Sequence, residues 1–400
     1  MTALDRSLSR RTLSLAGASV TAGAALAAIA RPAFAQDATP EASPAGDEGD
    51  PGMPPLPEGA IPVAQGLWNP AGLAVADDGT LYIAESGVAG GGEGGEMAMA
   101  TPLADGSLAT GPLPLVAPQV SRVAPDGTQS VVTTEAGGTG IAIVGTEAFV
   151  VNGGTSVASG FGQIPGENTV RAIDLATGAV RDVAELGTYE IENNPDGQDV
   201  NPNLYGIAAS PDGLLYVADA GANTIYTVDP ASGEFSLFAV VPNLTDLTGA
   251  TPTSEEQAMQ PGPRQPVPTG IVVDDASTIT VGLLSESWAG PSILNYAPDG
   301  TYTEGVSGIA VNVAIALGPD GLLYASQLTA DFSGEMPAPG NVFRITADGA
   351  VEPVVEGLFF PHGIAFNAAG DLFVTTNSII SAPDAPAGMV LKFEGIAAPA

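Results

Sequence analysis

The residues best suited to chemistry in this 400-residue chain gather in one segment. Thr188 to Leu204 reads TYEIENNPDGQDVNPNL and carries Glu190, Glu192, Asn193, Asn194, Asp196, Asp199, Asn201 and Asn203. Carboxylates and amide carbonyls at this density are hard-oxygen donors of the kind that hold Ca²⁺. On that reading Glu190, Glu192, Asn194, Asp196 and Asp199 are the metal ligands, although their spacing is not that of an EF-hand. The same residue types also build Asx turns, in which Asn and Asp bond their own backbone, so both readings stand.

A second set is spread along the chain. Glu85, Asn152, Asp219, Glu286, Gln327 and Asn377 follow short apolar runs and precede long connections. They are expected to ring one mouth of a central channel. There Glu85, Asp219 and Glu286 could bind a cation or act as acid and base, or simply cap strand ends in water. His362 is the only histidine. It could serve as a general base or a metal ligand, and with the six it makes up the expected ligand face. Gly90 to Gly95 is glycine-rich but has neither a lysine nor a following helix, so it does not read as a phosphate loop.

The elements that must position these residues are short strands. Tyr205 to Gly233 holds three apolar runs, closed by Pro211-Asp212-Gly213, Gly221-Ala222-Asn223 and Asp229-Pro230 with Ser232-Gly233. Runs this short, rich in Val, Ile and Tyr and bounded by turn residues, are strands. The Asp-Gly and Ser-Gly pairs suit hairpin turns, where Gly accepts positive φ. The pattern recurs six times, with first strands at Gly72, Gly140, Gly206, Gly270, Ala314 and Gly363. A fourth extended run follows five of the units. The fold class is therefore all-β, a six-bladed β-propeller with four-stranded antiparallel blades. The last unit lacks its outer strand, and IPVAQGL from Ile61 is a spare strand placed to complete it and close the ring. Tyr82, Phe149, Tyr216, Tyr324 and Phe373 recur at one second-strand position and read as packing between blades.

Connection lengths separate two rims. First-to-second and third-to-fourth turns are tight; second-to-third and blade-to-blade connections are long and lie on the opposite rim. Function concentrates on loops held by a rigid scaffold, so the long-loop face is where a site is expected.

Residues 1–35 read as a twin-arginine export signal, with Ser9-Arg10-Arg11-Thr12-Leu13, an apolar run and Ala33-Phe34-Ala35 before the cut. Residues 36–59 form a Pro- and acid-rich linker expected to be disordered, and residues 60–400 form the propeller. Expected localisation is secreted or cell-envelope, with no membrane association after cleavage. The formal charge is −35. Cleavage would leave six basic residues against 44 acidic ones, a net −38. Nucleic acid and anionic membranes are poor partners for such a surface. The chain has no Cys, so disulfides play no part.

The segments NPAGLAVADDGTLYIAESG from Asn69, VSRVAPDG from Val120, YEIENNPDG from Tyr189, and NPNLYGIA from Asn201 followed by LYVADAGANTIY resemble the ScyD/ScyE family of propeller proteins. The last stretch is also similar to NHL-repeat and SMP-30/gluconolactonase-like propellers. The resemblance implies an exported six-bladed propeller and brings no established activity with it. In the gluconolactonase-like relatives, calcium-dependent lactone hydrolases, Asn or Asp precedes a first-strand Gly; here Ala71, Thr139, Tyr205, Thr269 and His362 hold those positions. The expected function is a monomeric, non-catalytic propeller that binds a small molecule, a glycan or a protein on its long-loop face, with Ca²⁺ as the candidate cofactor. The alternative is a metal-dependent hydrolase or lactonase using Glu85, Asp219, Glu286 and His362.

Overall fold

A computed structural model describes residues 55–88, 101–102, 108–109, 116–154, 166–252, 264–285, 288–331 and 337–399. The expected signal segment, and the linker up to residue 54, lie outside it. The chain forms six four-stranded antiparallel sheets. Blade one comprises Pro70–Val75, Leu81–Glu85, Gln119–Val123 and Gln129–Thr133. Blade two comprises Gly140–Val144, Glu147–Asn152, Thr169–Asp174 and Val180–Glu185. Blade three comprises Leu204–Ala209, Leu215–Asp219, Thr224–Val228 and Phe235–Val240. Blade four comprises Pro268–Val273, Ile279–Leu283, Ile293–Tyr296 and Tyr302–Glu304. Blade five comprises Asn312–Leu317, Leu323–Gln327, Gly340–Ile345 and Val351–Leu358. Blade six comprises Ile364–Phe366, Leu372–Thr376 and Gly388–Phe393, and its outer strand is Ile61–Leu67 from the start of the domain. Ile61 pairs with Lys392 and Leu67 with Gly388, so the ring is closed by the strand expected to close it. No unpaired join is left for another chain to extend.

The tight rim is made by local carboxylate bonds. Asp78, Asp126 and Asp299 each accept a hydrogen bond from the backbone N–H two residues on, at 2.8 to 3.0 Å. These bonds hold Asp78 and Asp126 below the usual aspartate range, and the Thr301 hydroxyl followed by its backbone N–H does so for Asp299. The other rim carries the long connections, with two further short strand pairs, Thr101–Pro102 with Leu108–Ala109 and Thr251–Pro252 with Trp288–Ala289. It also carries one helix, Gly187–Asn193, in a segment that the sequence reads as loop. Tyr189 fixes that helix by packing edge-on against Tyr226 and Phe235 of blade three, 5.8 and 5.7 Å between ring centres.

The core lies at the seams between blades. Tyr82 packs with Ile141 and Val150 between blades one and two. Phe149 packs with Ile207 and Val217, and Tyr216 with Ile271 and Val281, at the next two seams. Tyr324 packs with Ile364 and Leu372, and Phe373 with Leu73 and Ile83, at the last two. In blade four the equivalent position is Thr280, which bonds Asn295 within its own sheet at 2.9 Å.

Around the axis the inner strands meet backbone to backbone. A Cβ on Gly206 would overlap the Thr269 carbonyl oxygen of blade four, and one on Gly363 the Ala71 carbonyl oxygen of blade one. Backbone cannot step aside as a side-chain end can. Gly206→Ala is therefore expected to lower the thermal midpoint by an amount equivalent to about 1–3 kcal/mol of overpacking. Ala314→Gly, at the one seam that already carries a Cβ, should cost about 1 kcal/mol or less. Thermal unfolding of the two variants checks the difference, and equal effects would contradict the packing described.

Candidate functional site

Two places on the long-loop side concentrate polar chemistry: the mouth of the central channel, and the connection from blade two to blade three.

The channel is a cavity of about 280 Å³ enclosed by the six inner strands. Its wall carries an aliphatic residue from every blade at the same position, Leu73, Ile141, Ile207, Ile271, Ile315 and Ile364. In five blades the residue just before the first-strand Gly or Ala also lines the cavity: Thr139, Tyr205, Thr269, Val313 and His362. In blade three a bulge between Leu204 and Gly206 leaves Tyr205 out of the strand ladder. Bulges of this kind re-aim a side chain, and here Tyr205 turns towards the axis. His362 reaches the same level from blade six, the blade opposite. The Tyr205 hydroxyl and His362 Nε2 are 2.5 Å apart, and the rings stack with centres 5.4 Å apart. Thr139 and Thr269 donate hydroxyl bonds to the Tyr205 carbonyl (2.9 Å) and the Asn312 carbonyl (2.7 Å) of the next blade. Thr375 donates likewise to the Ala71 carbonyl at 3.2 Å. Three of the six seams are stitched by a threonine, and a tyrosine–histidine pair bridges the mouth.

Burial dominates the electrostatics of this pair. It pushes His362 down to about 4, with the nearby Ala71 carbonyl acting weakly the other way, so the ring is neutral near pH 7. It also pushes the Tyr205 hydroxyl up. Nδ1 of His362 has no hydrogen-bond partner.

The residues read as ending the second strands take up other positions, and none of those described, Glu85, Asn152, Asp219, Gln327 and Asn377, lines the channel. Glu85 is fully buried and its carboxylate is committed. It accepts bonds from the Trp68 N–H (2.6 Å), Gln119 Nε2 (2.8 Å) and the Ser121 hydroxyl (2.5 Å). Burial raises its pKa against those bonds. Gln327 donates to the Ala310 carbonyl and accepts from Asn341. In blade six the second strand ends at Thr376, and Asn377, one residue beyond it, donates to the Ala387 carbonyl. Asn152 is half-buried at the end of its strand. In blade four the second strand ends at Leu283, so the equivalent position is apolar. Glu286 comes three residues later and lies outside the described residues.

Asp219 belongs to the second place. Its Oδ1 accepts the backbone N–H groups of Asn203, Gly221 and Ala222 at 2.7, 3.1 and 2.9 Å. Its Oδ2 is buried without a partner. Near it is Glu190, from the helix Gly187–Asn193, with no exposed surface and neither carboxylate oxygen in full hydrogen-bond geometry, although the Asn201 backbone N–H lies close enough to favour its charge. Burial, then repulsion from Asp219 and Asp196, pushes Glu190 up to about 8. Burial likewise lifts Asp219 to about 6, against the three backbone bonds. The side-chain oxygens of Asn194 and Asn201 are buried and unpartnered as well.

Of the other residues expected to ligate metal, Glu192 and Asp199 are exposed. Asp196 spends one oxygen on the Gln198 N–H (2.9 Å) and the other on Asn223 Nδ2 (2.8 Å). No group of three or more His, Cys, Asp and Glu placed to hold a metal occurs among the described residues; the buried set here is two carboxylates joined by amide oxygens. Sequence reading missed Asn201 and Asp219 as partners of Glu190, and Tyr205 as the partner of His362. The second pairing had a signal: both residues precede a first-strand glycine, in units three apart in a ring of six.

No protein-family model and no curated protein matches the chain. Solved structures do resemble it. One is a protein of unknown function from Bacteroides thetaiotaomicron, 13% identical over 82% of this chain and 70% of its own, with a TM-score of 0.52. Another is a calcium-binding protein, regucalcin, from Agrobacterium tumefaciens, 14% identical over 86% and 97%, with a TM-score of 0.48. A third is virginiamycin B lyase from Staphylococcus aureus, 15% identical over 84% and 98%, with a TM-score of 0.45. At these identities the likeness concerns the fold alone.

The His362 environment generates a signed pH effect. Its folded-state pKa lies below the ordinary histidine value of 6.5. The unfolded chain therefore binds a proton that the folded chain refuses as pH falls from about 6.5 to about 4. The stability advantage of wild type over His362→Gln should be largest near pH 7 and shrink across that window, by on the order of 3 kcal/mol at most. Denaturant unfolding at several pH values measures it. An advantage that stays constant from about pH 7 to pH 4 would contradict the burial described.

Proposed function

We propose that the protein is a non-catalytic binding propeller, exported by the twin-arginine route, that holds a small molecule, a glycan or a protein on its long-loop face. One observation carries this reading: His362 at the channel mouth and Glu85 away from it are both spent on holding the ring together. His362 is buried against Tyr205 and neutral, and Glu85 has both oxygens committed. General acid–base catalysis needs a group within hydrogen-bond reach of a substrate proton; Glu85 has no oxygen to spare, and the unpartnered Nδ1 of His362 is buried. The extra chain length, by contrast, lies on one face of a rigid scaffold, the usual arrangement for recognition. The resemblance of the YEIENNPDG segment to ScyD/ScyE proteins supports the same reading, since it falls within that face. The acidic composition favours a neutral or cationic ligand over nucleic acid.

The test is an activity assay on the full chain with D-glucono-1,5-lactone and a simple aryl ester, with Ca²⁺ present. Hydrolysis no faster than the buffer rate is expected. In the same preparations Glu85→Gln and His362→Ala should lower the thermal midpoint, because each leaves buried groups unpaired, at about 1–3 kcal/mol apiece. Lactone or ester turnover that disappears in either variant while the fold persists would overturn the binding reading in favour of a hydrolase.

A further inference from the structure

Fifteen buried side-chain oxygen and nitrogen atoms lack a hydrogen-bond partner among the described residues, and eight of them belong to one neighbourhood. They are both oxygens of Glu190, Oδ2 of Asp219, Oδ1 of Asn194, Oδ1 of Asn201, Nδ2 of Asn203, and the hydroxyls of Thr224 and Tyr226. Backbone contacts draw these residues together. Asn203 donates its N–H to Asp219, and Asp219 stands directly opposite Thr224 in the sheet. The Asn194 N–H closes the helix onto the Glu190 carbonyl at 2.8 Å, so the two residues are joined through the backbone. Asn201 crosses close over Gly221, where a Cβ would strike its carbonyl oxygen. Asp219 is near enough to Glu190 for its charge to disfavour ionisation of Glu190.

Unpaired buried carboxylates are among the costliest groups a fold can carry. Among the described residues, the ion pairs of Arg171, Arg181, Arg344 and Lys392 all lie elsewhere. Two carboxylates with neutral amide oxygens, and no nitrogen or sulfur ligand, make a hard-oxygen set of charge −2 that suits a divalent alkaline-earth ion. Glu190, Asp219, Asn194 and Asn201 offer five unpartnered oxygens. Ca²⁺ takes about six to eight, at flexible geometry, and accepts hydroxyl or water oxygen for the remainder. Mg²⁺ demands a near-ideal octahedron and dehydrates reluctantly, so it suits a dry side-chain cage less well.

We propose that Glu190, Asn194, Asn201 and Asp219 form a Ca²⁺ site that fastens the connection between blades two and three onto blade three. The site lies off the axis, since none of the four residues lines the channel. It differs from the set expected from sequence, because Glu192 and Asp199 point to solvent and Asp196 is bonded to Asn223 and Gln198. Its occupant sets the shape of the long-loop face where residues 187–203 cross it. The site stands whatever that face binds.

Calcium titration calorimetry and thermal unfolding of the chelator-treated full chain test this. One Ca²⁺ per chain is expected, with a rise in midpoint of at least about 3 °C at 100 times the dissociation constant. Mg²⁺ at the same concentration should give a smaller rise. Glu190→Gln should abolish both the binding and the rise, yet unfold in chelator at or above the wild-type midpoint, because it removes an uncompensated charge. Glu192→Gln and Asp199→Asn should keep both. The proposal is overturned if wild type shows neither binding nor a rise. It is equally overturned if Glu190→Gln keeps them, or if Glu192→Gln or Asp199→Asn loses them.

Discussion

Six sheets can share one axis only if their inner strands come close enough for backbone to meet backbone. Here that demand falls on the first residues of each inner strand, where Gly206 and Gly363 lie against carbonyl oxygens of the following blade. The rest follows from it. Backbone groups this close need partners, and threonine hydroxyls from blades two, four and six supply them across three seams. The bulge that starts blade three then turns Tyr205 inward to meet His362. The mouth is thereby closed by contacts that belong to ring assembly. Aromatic side chains one strand further out fill the wedge between blades, which widens with radius.

With the axis rigid, variation is left to the long connections, and the one between blades two and three is the most elaborate. It enters through a short helix held down by Tyr189 on blade three and leaves through Asn201 and Asn203, which fold onto the turn after Asp219. The same route that buries Glu190 brings Asp219 beside it. A hydrophobic anchor and a backbone-capping carboxylate thus combine to create a polar interior that the described residues leave short of partners. The proposed cation would resolve this in a way that protonation does not, because it would engage the amide oxygens of Asn194 and Asn201 as well as the two acids.

Much of the architecture was legible in sequence because its determinants are local. Blade number, strand order, tight turns and the closing role of Ile61–Leu67 rest on alternation and turn residues within about ten positions. The inter-blade role of Tyr82, Phe149, Tyr216, Tyr324 and Phe373 followed from their shared place in the repeat. The site was less legible, for two reasons. Direction at a strand end depends on twist and bulging, so Glu85, Gln327 and Asn377 bond neighbouring loops although their spacing suggested a ring around the channel. In blade four the repeat itself departs, and Leu283 stands where an acid had been read three residues later. In the blade-two connection, density of oxygen ligands was visible but burial was not. Helix formation from Gly187 to Asn193 sends Glu190 inward and Glu192 outward, and the third dimension adds Asp219 from another strand.

The most direct measurement is a crystal structure grown in millimolar Ca²⁺ with data collected for anomalous scattering. A single anomalous peak is predicted between Glu190, Asn201 and Asp219, with their oxygens at about 2.3–2.6 Å from it. A peak-free site in which the Glu190 carboxyl instead donates a hydrogen bond to Asp219 or a water would show that the pocket is satisfied by a proton, and would contradict the metal assignment.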